Sequence, residues 1–383
     1  MYDSTRSWTI FHLIFAAPCL YVLARWLAPL TLPLWVKAAV AIAFLCASQF
    51  HYWSRLSSGS VFAPEFPRPV VILFNWAFGA LLLLALIQLF LDAATLVVSL
   101  VHLRIVGLPD AARYAAAGSA ALLAAVGVAN AIRVPPIRDI EVTIAGLPPH
   151  FSGYRLLQLT DLHISRLFPE RWARAVVARA NASDVDLIVV TGDFIDGSVE
   201  MRRSDVAPLA DLRAPDGVIA VPGNHEYFFD YAAWIDHLTG LGIRMLLNAH
   251  ITLKRADEAL VIAGVTDPSA ASAGQPPPDL RAALAGAPTD APVILLDHQP
   301  RAARTAAAAG VALQLSGHTH GGMIAGLGRA FEAPNGGYVS GRYSVGDMTL
   351  YVSNGSGLWP GFALRLGRPS EMTRITLRPA ARP

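Results

Sequence analysis

Cysteine is nearly absent from this chain. Only Cys19 and Cys46 occur, both inside apolar stretches. A disulfide framework and a cysteine-based zinc site are therefore excluded. Charge is also scarce: 15% of the 383 residues are Asp, Glu, Lys or Arg, against roughly 25% in soluble domains. The formal net charge is only +2 and no basic run occurs, so neither a polyanionic partner nor nucleic-acid binding is expected. Internal repeats and low-complexity tracts are missing as well. What the chain has in excess is apolar surface: 54% hydrophobic residues and a mean hydropathy of +0.44. Part of it is expected to lie in lipid.

The shortage of charge is uneven. Residues 1–133 hold eight Lys or Arg and four Asp or Glu, whereas 134–383 hold 22 and 24. The first part contains four long apolar runs, Trp8–Ala28, Leu32–Phe50, Pro69–Leu91 and Ala112–Ile132. A helical span needs about 20 mostly apolar residues, and Trp8, Trp26, Trp35 and Trp53 sit near run ends as interfacial aromatics do. A cleaved signal peptide would explain the first run alone; the three that follow favour an integral anchor. Pro18 before Cys19 argues against a lipoprotein signal. The expectation is an all-α transmembrane bundle of about four helices. The third run continues past Asp92, as one long helix or as a helix plus an interfacial piece. With four spans both chain ends share one side. Its flanks carry Arg6, Arg55, Arg68, Arg133 and Arg138, against Arg25, Lys37, Arg104 and Arg113 opposite, a slight lean toward a cytoplasmic second half.

After 133 the pattern changes. "RVPPIRD" is a stiff exit from the last helix, because proline cannot continue it. Residues 134–149 read as linker and first strand, and 150–383 as one α/β domain. "YRLLQLTD", "DLIVVTGD", "GVIAVPGN", "VILLDHQP" and "VALQLSGH" are short apolar runs that end in polar residues. Helix-like stretches such as "ERWARAVVARANA" lie between several of them. Near-continuous apolar strands predict sheets covered on both faces.

Each run stops where Asp, His or Asn follows. Loops leaving the carboxyl ends of such strands converge on one rim. Five segments contribute: "TDLHI" with Asp161 and His163, "GDFID" with Asp193 and Asp196, "GNHE" with Asn224, His225 and Glu226, "DHQP" with Asp297 and His298, and "GHTH" with His318 and His320. Five of the eleven histidines fall here. Imidazole, carboxylate and amide oxygen together suit Mn, Fe, Co or Zn. A shared Asp would suit two ions about 3.5–4 Å apart, as in two-metal hydrolytic sites. Any one of these residues alone reads equally well as a cap, a turn residue or a satisfied polar group.

The order D-x-H, GD-x-x-D, GNH(E/D), an isolated His after a strand and GH-x-H resembles the calcineurin-like metallophosphoesterase superfamily. The likeness runs over roughly 150–378, and the tail from "YVSNGSGLW" resembles its membrane-associated bacterial branch. The resemblance implies an α/β/β/α fold, a β-sandwich flanked by helices, and a dinuclear centre of two divalent metal ions. It implies that Asp161, His163 and His320 hold the first ion, that Asp193 bridges, and that Asn224, His298 and His318 complete the second. It implies further that His225 gives a proton to the leaving oxygen while Asp196 orients its ring. The reaction implied is hydrolysis of a phosphodiester, phosphomonoester or pyrophosphate bond by metal-activated hydroxide, with lipid-linked substrates favoured by the anchor. One departure is Gly197, where the protein-phosphatase branch carries Arg; a phosphoprotein substrate loses support. Asp297 and Glu226 receive no role.

Within "SGHTHGG" the expectation is an extended segment, with both imidazoles on one face and Thr319 pointing away, least constrained. Gly321 and Gly322 would leave space for phosphate. Two other function classes remain open on these residues: a transporter or sensor with a regulatory phosphoesterase domain, and a non-catalytic scaffold on the same fold.

Overall fold

The computed structural model of the chain describes residues 15–380. It separates into two compact units. The first comprises the chain up to Asn130 together with Pro360–Leu366, and the second comprises Ala131–Trp359 and the chain from Gly367. The segment at 360–366, assigned by the sequence to the second half, thus packs within the helical unit.

The helical unit contains an apolar helix at Phe15–Leu27, then α1 (Leu34–Ser48), α2 (Phe50–Ser58), α3 (Arg68–Val101) and α4 (Asp110–Ala131). Among the described residues α3 and α4 are long and apolar enough to cross a membrane, and the bent pair α1 and α2 makes a third if it is one span. The expected count of about four includes the first run, of which only the part from Phe15 is described. The second apolar run does not give one straight helix: α1 has 15 residues, about 22 Å at 1.5 Å per residue, short of a ~30 Å hydrocarbon core. The chain then bends by 57° at Gln49. Of the first run, Trp8–Ile14 lies outside the described residues, as do Arg6 and His12. The third run forms a single helix of 34 residues, about 51 Å long. Its Asp92 is held by Tyr21 Oη (2.7 Å), Arg25 Nε (2.9 Å) and Gln88 Nε2 (2.8 Å).

The second unit is built on two six-stranded sheets. One has the order β1 (Ile137–Ile144), β12 (Met372–Pro379), β2 (Arg155–Leu159), β3 (Leu187–Thr191), β4 (Val218–Val221), β5 (Arg244–Met245). The other runs β10 (Gly341–Val345), β11 (Met348–Val352), β9 (Leu313–Ser316), β8 (Val293–Leu296), β7 (Glu258–Gly264), β6 (Ala249–Arg255). Side chains alternate across a strand, and one parity from both sheets meets in a single core: Leu187, Val189, Ile219 and Val221 from the first with Ile262, Ile294, Leu313 and Tyr351 from the second. The other parity of the second sheet, Ala263, Leu295 and Leu350, packs with Ala283, Ala303 and Ala306 from the short helices that follow β7 and β8. On the first sheet Leu157, Ile188 and Val190 are equally buried. There α5 (Glu170–Asn181) turns Trp172, Ala173, Val176, Val177 and Ala180 inward at helical spacing. The layers are those of the expected α/β/β/α sandwich.

Two strand sets point their carboxyl ends to one rim. β2, β3 and β4 are parallel neighbours in the first sheet, and β8 and β9 in the second. Gln158 ties the two sets, its Nε2 donating to Thr191 Oγ1 (2.9 Å) and to Ser316 O (3.0 Å).

Candidate metal centre

All nine residues given a role by the resemblance come to this rim. Potential ligand atoms of Asp161, His163 and His320 lie within 4.8 Å of one another, and so do those of Asp193, His298 and His318. Asp193 also groups with His163 and His225. Its Oδ2 stands 3.6 Å from His163 Nε2 and 3.3 Å from His298 Nε2. Asn224 Oδ1 lies 3.0 Å from His298 Nε2 and 2.9 Å from His318 Nδ1.

Three of the five imidazoles are aimed by their Nδ1 atoms. His163 Nδ1 lies 3.1 Å from Asp196 Oδ2, and His225 Nδ1 lies 2.5 Å from Asp196 Oδ1. His298 Nδ1 lies 2.7 Å from Thr191 O. One fully buried carboxylate, Asp196, thus orients two rings. Burial would raise its pKa, but His163 and His225 outweigh burial and hold it low. For His225, burial would depress the pKa; Asp193 and Asp196 override that and push it up to about 9.

The donor set fits divalent cations. His163 Nε2 is buried with no hydrogen-bond partner among the described residues, while its Nδ1 is satisfied. A lone pair left unpaired in a dry site is costly and is the atom a cation would take. A second nitrogen held by a carboxylate is how ligating histidines are fixed.

The backbone differs from the expected extended segments. Asp161, His163, Asp193, His318 and His320 all have positive φ, between 45° and 69°. Non-glycine residues rarely occupy this region, and Asp, Asn and His do so most readily. In "SGHTHGG" the left-handed residues His318 and His320 flank a right-handed Thr319. Thr319 is not loosely held: it is buried, and its Oγ1 donates to Val339 O at 2.6 Å. Gly321 and Gly322 do not open onto space either. A Cβ on Gly321 would fall 2.1 Å from Asn354 Oδ1, and one on Gly322 2.7 Å from Gly328 Cα.

Glu226 has a part that the sequence reading missed. Its carboxylate accepts from Gly223 N (2.6 Å), Asp193 N (3.1 Å) and Phe194 N (2.8 Å). It stitches the loop after β3 to α6 (Asn224–Phe228), the short helix after β4. Burial first, then Asp193, push its pKa up to about 7, against the pull of those N–H donors. The legible signal was its place three residues after the N-cap Gly223, the capping-box position. Asp297 takes Gln314 Nε2 at 3.4 Å. Beside Gly197, the fully buried Arg202 donates from Nε to Asp196 O at 2.8 Å. His150 and His250 find partners elsewhere, Glu258 Oε2 and Ala283 O, each at 2.8 Å.

The model of the calcineurin-like phosphoesterase family matches residues 154–322. The "Transmembrane protein with metallophosphoesterase domain" of Danio rerio is 33% identical over 269 residues, 68% of this chain and 61% of that protein. Its Bos taurus counterpart is 34% identical over 274 residues, with the same shares. These matches span about three fifths of the length of the transmembrane relatives. The "Uncharacterized metallophosphoesterase YkuE" of Bacillus subtilis is 33% identical over 272 residues, 69% of this chain and 93% of that protein. With its five rim motifs in order and a relative matched over nearly its whole length, the chain belongs to the calcineurin-like metallophosphoesterases.

Proposed function

We propose that this chain is a membrane-anchored phosphoester hydrolase with two divalent ions, acting on a phosphodiester, phosphomonoester or pyrophosphate bond, with lipid-linked substrates favoured. Asp161, His163 and His320 would hold one ion; Asn224, His298 and His318 would hold the other; Asp193 would serve both. The observation that carries this reading is that Asp193 belongs to both the His163 and the His298–His318 groupings. Bound there, Mn, Fe, Zn or Co would supply Lewis acidity and a nucleophile at neutral pH.

The chain's own residues have separate tasks. Asp196 holds His225 by Nδ1, leaving Nε2 on the cluster side, 3.9 Å from Asp193 Oδ2. A protonated His225 would pass its Nε2 proton to the leaving oxygen. Asn224 would align a phosphoryl oxygen while its Oδ1 contributes to the second ion's site. Support for a lipid-linked substrate is the helical unit with its apolar spans, and the transmembrane relatives bear on the same point.

The test uses the purified full chain in detergent with bis(p-nitrophenyl) phosphate. Hydrolysis is expected with Mn and is expected to vanish with chelator. Asp193→Asn should abolish it while leaving expression unchanged. Near wild-type turnover by metal-loaded Asp193→Asn would overturn the reading. Lipid extracts of a deletion strain should accumulate the phosphoester that the enzyme consumes.

A further inference from the structure

Among the described residues of the catalytic unit, four large apolar side chains are exposed: Met201 (38%), Phe228 (45%), Leu247 (37%) and Leu327 (42%). Single exposed apolar residues are ordinary when scattered. These four are not scattered. Each lies on a connection leaving the carboxyl end of a parallel strand, β3, β4, β5 and β9 respectively. The connections at the amino ends of these strands carry none of them.

Three of the four are tied to residues of the candidate metal centre. Met201 sits in the first turn of the helix Val199–Val206, where its N–H donates to the N-cap Ser198 Oγ at 3.4 Å. The next residue, Arg202, donates to Asp196 O. Phe228 closes α6, and its ring meets that of His225 with centroids 5.1 Å apart. Leu327 follows the glycine turn after His320: Ile324 N donates to Gly322 O (2.6 Å) and Leu327 N to Ile324 O (3.1 Å). Leu247 stands apart, just after β5, the edge strand of the first sheet.

Phe228 is the informative residue. His225 Nε2 faces the cluster, 3.9 Å from Asp193 Oδ2. An oxygen that takes a proton from this nitrogen comes within about 3 Å of it, and so arrives beside the Phe228 ring. The carbon bonded to that oxygen is carried to the same place. A half-exposed phenyl ring leaves apolar surface in water, which is unfavourable until an apolar group covers it. The group that geometry brings there is the alcohol portion of the ester.

We propose that Met201, Phe228 and Leu327 form an apolar mouth beside the metal centre that receives the apolar alcohol portion of an amphiphilic phosphoester, with Phe228 as the specificity-determining residue. The proposal rests on the phosphoester-hydrolase reading above. It uses nothing of the helical unit, so it supports a lipid-like substrate from the catalytic unit alone.

The test uses the purified full chain in detergent with Mn. Ethyl phosphate and hexyl phosphate are compared as competitive inhibitors of bis(p-nitrophenyl) phosphate hydrolysis; they share the phosphate and differ only in the chain. Partition of hexyl phosphate into detergent is common to all variants and cancels between them. In the wild type hexyl phosphate should bind about 10-fold more tightly, well below the roughly 200-fold that full burial of four methylenes would give. Phe228→Ala should bring the ratio of the two inhibition constants close to one, and Phe228→Leu should keep most of it. Damage to the metal centre alone would weaken both inhibitors alike and leave the ratio at its wild-type value; that result for Phe228→Ala overturns the proposal. Leu247→Ala should not alter the ratio. A loss there equal to that of Phe228→Ala would mean that the whole face meets a lipid surface, and overturns the mouth. Should Phe228→Ala fail to accumulate, Leu327→Ser is measured in the same way: a lower ratio supports the mouth and an unchanged one overturns it. A wild type that hydrolyses the reporter ester but binds both inhibitors equally overturns the mouth alone. A wild type that neither binds Mn nor hydrolyses the reporter overturns the proposed function, and the mouth with it.

Discussion

At the scale of single residues, Asp196 and Glu226 show two ways for a buried carboxylate to serve a cation site without facing a cation. Asp196 takes the far nitrogens of His163 and His225. Glu226 takes three backbone N–H groups. Glu226→Gln keeps the shape but turns an amide NH2 toward an N–H donor. The expected cost is about 1–3 kcal/mol for the donor left unsatisfied, read as a lower melting temperature in chelator, with reduced Mn uptake. His225→Ala should keep its metals, by elemental analysis. It should lose roughly 10²–10⁴-fold in turnover on an alkyl phosphodiester, whose leaving oxygen needs a proton, and far less on a p-nitrophenyl ester. An equal loss on both substrates would remove His225 from the proton-donor role. The nine candidate residues were legible because each follows an apolar strand. Glu226 went unread: its capping-box place accounts for the bond from Gly223 N, but its other two partners are backbone groups of another loop, Asp193 N and Phe194 N, which leave no trace in residue type.

At the scale of elements, the rim is made by sharp turns. β3 ends at Thr191 and the chain reverses hand at Gly192 and Asp193; β9 ends at Ser316 and the reversal comes at His318. Spacing alone suggested an extended D-x-H or H-x-H pair, since strand geometry is the simplest way to place two side chains on one face. Alternating left- and right-handed residues achieve the same convergence with the intervening Thr319 buried. Thr319→Val should therefore be harmful: it removes the hydroxyl that reaches Val339 O, and a loss of about 1 kcal/mol or more should appear in urea unfolding. Gly223→Ala should be worse for activity, because its Cβ would fall 2.2 Å from Asp193 Oδ1. Mn titration should show the damage directly. The break at Gln49 between α1 and α2 escaped sequence reading for a related reason: the run is apolar throughout, and hydropathy records composition, not direction.

At the scale of the whole chain, stability and cation binding are linked. Ions that bind the folded rim and not the unfolded chain stabilise by about 2.7 kcal/mol at a hundredfold excess over Kd. Chelator is expected to lower the melting temperature of the wild type, and Mn to restore it. In Asp193→Asn this gap should shrink, as calorimetry would show. The division into an apolar first part and an α/β second part was plain from charge density, and the sandwich followed from the alternation of strands and helices. The place of Pro360–Leu366 in the helical unit was not readable, since Asn75, which binds it, is one amide in a long apolar helix and the segment is an ordinary loop by composition. The left-handed rim carries one more consequence. Asp, Asn and His are the side chains that both bind cations and accept positive φ. Exchange of Asp161 or Asp193 for asparagine therefore leaves the turn unstrained, whereas alanine there would add roughly 1 kcal/mol of backbone strain. Chemistry on this rim is separable from architecture by a one-atom change, so a lineage could silence the enzyme without refolding it, and a receptor for phosphoesters lies one codon away from a hydrolase.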